Sequence, residues 1–205
     1  MLQLLLGFFL LFSACSSSQT EDLDGQEASY VNPDKVLIVY LSRTNNTKAI
    51  AEMIQKQVGG KLVALELEKP YPKDYRQIVD QVANENATGF LPPLKTKITT
   101  IQNYEVVFIG FPTWGMQLPP PLKSFLKEYN LSGKTIVPFN TNAGYGIGST
   151  FETVKSLAPN SKILEGFSIK GGVERDGIYF VMEGDKAKEG EMKVKQWLQQ
   201  IKILR

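Results

Sequence analysis

The 205-residue sequence contains no histidine and only one cysteine. Without histidine the chain lacks the most frequent proton shuttle of enzymes, and Ser-His-Asp catalysis is excluded. The single cysteine has no partner for a disulfide, and no cluster of His, Cys and carboxylate residues has the spacing of a metal site. Any redox chemistry would therefore depend on a bound organic cofactor.

A large charge imbalance and long apolar segments are also missing. The net charge is +2 and no basic stripe with interleaved aromatic residues is present, so the sequence predicts no nucleic-acid partner. The longest apolar run, residues 1–14, is shorter than a typical transmembrane helix. A hydrophobic content of 42% and a mean hydropathy of −0.15 are typical of a globular domain with a full core.

The N-terminal run has the length of a signal-peptide core, and Cys15 follows it directly after Ser13-Ala14. This arrangement resembles the lipobox of bacterial lipoproteins, in which the cysteine becomes the lipidated first residue. It departs from that pattern in Phe12, where Leu is usual, and in the missing Lys or Arg near the start. We expect residues 1–14 to be a signal peptide and Cys15 to carry a lipid on an extracytoplasmic membrane surface. The alternative is an apolar tail with an incidental cysteine.

Residues 15–34 are polar and small, without apolar periodicity, and are predicted to form a flexible tether. From residue 35 onward the pattern alternates between strand and helix. The predicted strands are residues 36–41, 62–67, 106–111, 135–140 and 162–167, and the predicted helices are residues 47–58, 73–85, 120–128, 149–157 and 186–202. Such alternation predicts one α/β domain over residues 35–205, with helices on both faces of a parallel sheet.

In a sheet of this kind, ligands bind beyond the carboxyl ends of the strands. The first loop there, residues 42–47, reads Ser-Arg-Thr-Asn-Asn-Thr and lies between a strand and a helix. Unpaired first-turn N–H groups, the helix dipole and hydroxyl donors make such a loop an anion site, and a phosphate is the expected guest. The alternative is that these residues only cap the helix.

Two further loops are expected at the same edge. Residues 112–121 place Trp114 beside Gly115 between prolines, which suits stacking on an aromatic heterocycle, although a core tryptophan is the alternative. Residues 140–148 carry three glycines in Gly-Tyr-Gly-Ile-Gly and two asparagines, so the backbone could approach a planar ligand and read its polar edge. The first loop lacks G-x-G-x-x-G, which argues against a Rossmann NAD site.

With these motifs in view the chain resembles the flavodoxin-like family over roughly residues 35–202. It is most similar to members with Tyr-Pro-x-Asp-Tyr (residues 71–75), Pro-x-Trp-Gly (residues 112–115) and Gly-x-Gly-Ile-Gly-Ser (residues 144–149). The resemblance implies a doubly wound five-stranded parallel sheet of order 2-1-3-4-5 and FMN as the cofactor. Asn45 stands where the family usually has Gly, and Asn tolerates the left-handed backbone of that turn.

The resemblance also assigns residues to each part of FMN. Those expected at the phosphate are Ser42, Thr44, Asn45, Asn46 and Thr47; those flanking the isoalloxazine are Pro112, Thr113, Trp114 and Gly115; those at its other side or edge are Asn142, Ala143, Gly144 and Tyr145. For Arg43 two arrangements stay open, a charge contact with the phosphate or exposure to solvent.

Three functions are compatible with these features. The first is a membrane-tethered electron-transfer flavoprotein that serves a redox partner protein or a small acceptor. The second is an FMN-dependent reductase of quinone, azo or nitro compounds, and the third is a flavin-free binding module. Flavodoxins that act as soluble carriers resemble one another in being strongly acidic, and the net charge of +2 departs from that. An extracytoplasmic location would also argue against nicotinamide nucleotides as the electron donor.

Overall fold

A parallel sheet with helices on both faces is formed by residues 30–205, the part of the chain that this computed structural model describes. Its strands are β1 Val36–Tyr40, β2 Lys61–Ala64, β3 Val106–Pro112, β4 Thr135–Asn142, β5 Lys162–Ile163 and β6 Phe167–Lys170. Their order is β2-β1-β3-β4-β5, with β6 also paired to β4. The predicted α/β fold class and strand order are confirmed. The predicted signal peptide, Cys15 and residues 16–29 of the tether lie outside the described residues.

Five α-helices connect or follow the strands: α1 Asn46–Val58, α2 Tyr75–Thr88, α3 Pro120–Glu128, α4 Thr150–Leu157 and α5 Gly184–Gln200. The second begins two residues later than predicted because the Asp74 side chain caps it, accepting a 2.9 Å hydrogen bond from the N–H of Gln77. Within residues 30–205, no helix has the length and apolar character needed to cross a membrane.

Two hydrophobic cores lie on opposite faces of the sheet, because successive side chains of a strand point to opposite sides. In β1, Val36 and Ile38 face a core formed with α1 and α5, and Leu37 and Val39 face the core formed with α3 and α4. All four side chains are fully buried. This burial on both faces explains why β1 is continuously apolar in the sequence.

The fifth strand, predicted to be continuous over residues 162–167, is instead split into β5 and β6. Both segments pair with β4, β5 at Thr135–Ile136 and β6 at Phe139–Asn142. The N–H of Leu164 donates to the carbonyl of Ile136 at 2.9 Å. The backbone of Pro138, two residues further along β4, therefore points toward the same neighbouring strand. Proline has no N–H to continue the ladder, and the strand is interrupted there.

Candidate functional site

The three loops predicted to converge do meet, at the carboxyl edge of the sheet. A cavity of about 120 Å³, the phosphate-loop cavity, is lined by residues of all three. From the predicted set it takes Arg43, Thr44, Asn46, Thr47, Pro112, Thr113, Trp114, Asn142 and Ala143. Ser42, Asn45, Gly115, Gly144 and Tyr145 do not line it. A neighbouring cavity of about 530 Å³, the glycine-loop cavity, is lined by Gly115, Tyr145 and Gly146, among others.

The turn before α1 borders the phosphate-loop cavity through Arg43, Thr44, Asn46 and Thr47. Asn45 has φ 62° and ψ −1°, a left-handed conformation, and its side chain makes no capping hydrogen bond. Among the described residues, no acceptor pairs with the backbone N–H groups of residues 43–47. This row of unpaired donors at a helix N-terminus is the arrangement that binds anions.

The side chains of this loop divide into those that reach the cavity and those that brace it. Ser42 Oγ accepts a 3.2 Å hydrogen bond from the N–H of Lys48, which is a capping role. Thr44 and Thr47 line the cavity, and Thr47 Oγ1 lies 2.8 Å from Thr141 Oγ1. Of the three hydroxyl groups predicted to donate to an anion, those of Thr44 and Thr47 therefore belong to residues that line the cavity, and that of Ser42 does not.

The Asn46 side chain, predicted as a phosphate ligand, is buried and already paired. Its amide nitrogen donates to the Tyr179 carbonyl at 2.6 Å and to Thr44 Oγ1 at 2.8 Å. Its amide oxygen accepts from the N–H of Val181 at 3.0 Å. Asn46 thus joins the loop to the segment after β6, and its backbone N–H is the group that remains for an anion.

Arg43 lines the phosphate-loop cavity, and its guanidinium is engaged by protein groups instead of being exposed to solvent. Its guanidinium donates from Nε to Glu174 Oε1 at 2.6 Å and from its terminal nitrogens to the carbonyls of Pro72 at 2.9 Å and Lys73 at 2.5 Å. The side chains of Arg43 and Glu174 are 21% and 18% exposed, so the ion pair is partly shielded from water. Arg43 therefore connects the loop before α1 to residues 72–73 and to the segment after β6.

The loop after β3 is held in a tight turn. Gly115 and Met116 have φ of 55° and 60°, and Trp114 and Gln117 exchange two backbone hydrogen bonds across them. The Trp114 indole is half-buried and meets the Tyr71 ring edge-on, with centroids 5.5 Å apart. Because Trp114 also lines the phosphate-loop cavity, part of the indole is available to a ligand there.

A buried carboxylate supports this aromatic pair from behind. Tyr71 donates its hydroxyl proton to Glu85 Oε2 at 2.5 Å, and Gln81 donates to Glu85 Oε1 at 2.8 Å. Burial, followed by the hydrogen bond and the charge of Glu85, raises the pKa of Tyr71 far above its ordinary value. The folded state therefore favours the protonated phenol, and its hydrogen bond to Glu85 holds the ring that contacts Trp114.

The glycine-rich loop after β4 is shaped by Asn142. Its Oδ1 accepts hydrogen bonds from the N–H groups of Gly144 at 2.8 Å and Gly146 at 3.2 Å. Thr113 Oγ1 donates to the Gly146 carbonyl at 3.1 Å and so joins this loop to the one after β3. A Cβ on Gly148 would lie 2.1 Å from the Met116 carbonyl oxygen, so the two loops touch there through a glycine. Asn142 therefore organises the loop instead of presenting its amide oxygen to a ligand.

Several lining residues were not predicted. Tyr75 and Glu174 line both cavities, and Gly171 and Gly172 line the phosphate-loop cavity. A Cβ on Gly172 would lie 1.9 Å from the Tyr179 carbonyl oxygen, so this segment is packed too closely for any other residue. The sequence could have indicated this segment as part of the site. The Gly171-Gly172 pair directly follows the last strand, and that position also lies at the carboxyl edge.

Comparison with known proteins places this geometry in a family. A family model described as Flavodoxin matches residues 35–183. Among solved structures, a flavoprotein from Bacteroides eggerthii DSM 20697 is 30% identical, covers 82% of this chain and 97% of its own, and has a TM-score of 0.66. A flavoprotein from Bacteroides uniformis ATCC 8492 is 22% identical over 82% of this chain and 99% of its own, also with a TM-score of 0.66.

A flavoprotein from Lactobacillus acidophilus NCFM, solved in complex with FMN, is 22% identical over 67% of this chain and 93% of its own, with a TM-score of 0.57. No curated protein matches the chain. The family match covers the same residues that build the sheet and its three converging loops, and this chain therefore belongs to the flavodoxin family.

Proposed function

We propose that this chain binds FMN at the carboxyl edge of its sheet and acts as an electron-transfer flavoprotein. The observation that carries the proposal is the row of unpaired amides at residues 43–47, four of which belong to residues that line the same cavity as Trp114. An anion donor set next to an aromatic wall suits a ligand with a phosphate at one end and a planar ring at the other. Membership of the flavodoxin family and the FMN complex of the Lactobacillus acidophilus flavoprotein support this choice of ligand.

The donor set fits a phosphate monoester. The backbone N–H groups of residues 43–47, with the hydroxyls of Thr44 and Thr47, supply neutral donors, and the N-terminus of α1 adds a favourable dipole. Because Arg43 is engaged by Glu174 and two carbonyls, the phosphate would be held by these donors and not by a side-chain cation.

The ring of FMN would lie among Thr113, Gly115, Met116 and Tyr145, which line the glycine-loop cavity, with Trp114 at its border with the phosphate-loop cavity. Gly146 has φ 87°, and a Cβ added to it would meet no atom within 4 Å, so its backbone can approach a flat ligand closely. Tyr145 is 65% exposed and could cover the outer side of the ring. When bound, FMN supplies the electron-accepting chemistry, and these residues exclude water from it and set its access.

Electron transfer is favoured over acid–base catalysis because the chain has no histidine and its only cysteine precedes the domain. The second candidate, an FMN-dependent reductase of small molecules, is favoured by a separate observation. A third cavity, large enough for a small molecule, opens beside the phosphate-loop and glycine-loop cavities.

The decisive experiment is a titration of the full chain, purified in mild detergent, with FMN, followed by stepwise anaerobic reduction. We expect one FMN to bind per chain, with quenching of flavin fluorescence, and reduction in two separate one-electron steps. Reduction in a single two-electron step would favour the reductase. Failure to bind FMN would overturn the proposal and leave a flavin-free binding module.

We further propose that Cys15 carries a lipid that anchors the chain at an extracytoplasmic membrane surface. The support is the apolar run that ends at Ser13-Ala14-Cys15 and the polar residues that follow it. The chain enters the domain through residues 33–35, directly before the amino end of β1. An anchor on that side leaves the carboxyl edge, with its cavities, open to a redox partner or a small acceptor.

A further inference from the structure

The third cavity lies between α2 and the Trp114 loop, and we name it the α2 cleft. It measures about 430 Å³, a volume in the range of small-molecule sites. Its lining comes from one face of α2, the loop after β3, Arg43 and Glu174. It shares Tyr75, Thr113 and Gly115 with the glycine-loop cavity, so a ligand in the α2 cleft would lie beside the ring of FMN.

The wall that α2 contributes is apolar. The spacing of residues 75, 79, 83 and 87 places their side chains in one row along the helix, and Ile78 and Val82 flank that row. Val79 is 45% exposed and Tyr75 37% exposed, although both are large and apolar. With Trp114 across from this row, the cleft offers flat apolar surface to a ligand on two sides.

Two amides can orient a ligand with polar atoms at its rim. Within the described part of the chain, the side-chain amide of Gln117 has no hydrogen-bond partner, and the same holds for the amide nitrogen of Asn86. Lys123 donates to Asn86 Oδ1 at 2.7 Å, which polarises that amide and strengthens its nitrogen as a donor. Both groups can donate to a carbonyl oxygen.

The charged side chains that line the cleft offer an anion no unpaired cation, and the nearby Lys123 ammonium is already bonded to Asn86 Oδ1. Arg43 is the only cationic side chain among the described residues that line it, and its guanidinium is held by Glu174 and the carbonyls of Pro72 and Lys73. A phosphate-bearing donor such as a nicotinamide nucleotide would find no free cation among these lining residues and would face the Glu174 carboxylate. A neutral ligand has neither disadvantage.

Resting on the proposed function, we propose that the α2 cleft binds a neutral, planar carbonyl compound of the quinone class as the electron acceptor. Its ring would pack on the α2 row with Trp114 at its border, and its carbonyl oxygens would accept from Asn86 and Gln117. Reduction converts both C=O groups to C–OH. Fully reduced FMN would supply two electrons, one at a time, and one proton, water would supply the second proton, and FMN would be left oxidised.

The test measures binding directly and does not depend on turnover. The full chain, with and without FMN, is titrated by calorimetry with menadione, a neutral naphthoquinone, and with the sulfonated anionic naphthoquinone, in the same detergent. We expect one menadione per chain, and binding of the sulfonate weaker by about tenfold, which corresponds to about 1.4 kcal/mol. Absence of menadione binding, or equal binding of the two compounds, would overturn the proposal.

A pair of neighbouring substitutions on α2 locates the site. Ala83→Phe fills the cleft from an exposed position and should weaken menadione binding by about tenfold or more. The control Asn84→Phe adds the same ring at the next exposed position, which does not line the cleft, and should leave binding within about twofold. Equal effects of the two substitutions would contradict the placement.

A third variant tests the cleft without a substitution in α2. Gln117→Leu removes one donor from the facing loop and should weaken menadione binding while leaving α2 intact. FMN affinity is measured for every variant. It should stay unchanged in the two α2 variants, because neither Ala83 nor Asn84 lines the phosphate-loop or glycine-loop cavity. Loss of FMN binding in the unmodified chain would refute the proposed function, whereas retained FMN binding without menadione binding would refute only this inference.

Discussion

Asn45 illustrates how one residue's backbone prepares the site. At φ 62° and ψ −1° it turns the chain between residues 43–44 and residues 46–47, all four of which line the phosphate-loop cavity. Few residue types other than glycine adopt this conformation, and asparagine is among the most tolerant. The expectation that the turn survives with Asn in place of the family's usual Gly is confirmed.

Trp114 is expected to contribute directly to FMN affinity. Trp114→Ala should weaken FMN binding by roughly 1–3 kcal/mol, if stacking on this indole is worth as much as base stacking on aromatic side chains. A fluorescence titration of FMN measures the change. Trp114→Phe is the matched control, since it keeps a flat ring against Tyr71 and should retain most of the affinity. An alanine variant with unchanged affinity would disprove the stacking role.

Tyr71 is expected to stabilise the fold in a pH-dependent way. Tyr71→Phe leaves the buried Glu85 without its phenol donor and should cost about 1–3 kcal/mol of unfolding free energy near neutral pH. The folded state raises the pKa of Tyr71 above the ordinary 10.0, mainly by burial, so its contribution is complete below that pH and is lost as the pH rises above it.

Urea unfolding of both proteins at about pH 8 and about pH 11 checks this. The difference between wild type and Tyr71→Phe should narrow at the higher pH. The pKa of Tyr40 is also raised, chiefly by burial, but that residue is present in both proteins and its effect cancels in the difference. A constant difference across this range would contradict the assignment.

At the level of elements, the ion pair between Arg43 and Glu174 connects the loop before α1 to the segment after β6. Glu174→Gln keeps the size of the side chain and an acceptor oxygen but removes the charge. We expect faster amide hydrogen exchange in residues 171–181, because this charge-assisted hydrogen bond is one of the few contacts that hold that segment to the loop. Asp176→Asn, at an exposed ion pair with its neighbour Arg175, is the control and should leave exchange unchanged.

The fifth strand shows where element-level reasoning from sequence stops. The apolar residues around 162–167 correctly predicted a strand there, and its predicted position at the edge of the sheet was also correct. Its interruption depends on Pro138 in the neighbouring strand, whose missing N–H matters only because Ile136 and Pro138 face that edge. Strand periodicity within one segment carries no information about the hydrogen-bonding gaps of its partner.

Across the whole molecule, the proposed anchor and the proposed flavin site are expected to be independent. Cys15→Ser should move the protein from the membrane fraction to the soluble fraction, because without the thiol no lipid can be attached. FMN affinity should not change, since the site lies entirely within residues 42–181. Continued membrane association of the variant, measured by fractionation and immunoblotting, would argue against a lipid on Cys15.

Patterns in the sequence were sufficient to predict the fold class, the strand order through the family motifs, and the three loops that meet at the carboxyl edge. These features depend on residues within short segments, such as the apolar run of β1 and the turn residues after it. They can be inferred locally because the spacing of apolar residues and the identity of turn residues are properties of short segments of the sequence.

Which side chains of those loops remain available to a ligand depends instead on tertiary contacts. Arg43 is bound by Glu174, 131 positions away, and the Asn46 amide by Tyr179, 133 positions away. The tertiary arrangement also leaves the apolar row of α2 facing an open cleft beside the site instead of a core. Donors and acceptors distant in sequence pair only once the fold brings them together, so the occupancy of each polar group depends on the whole chain.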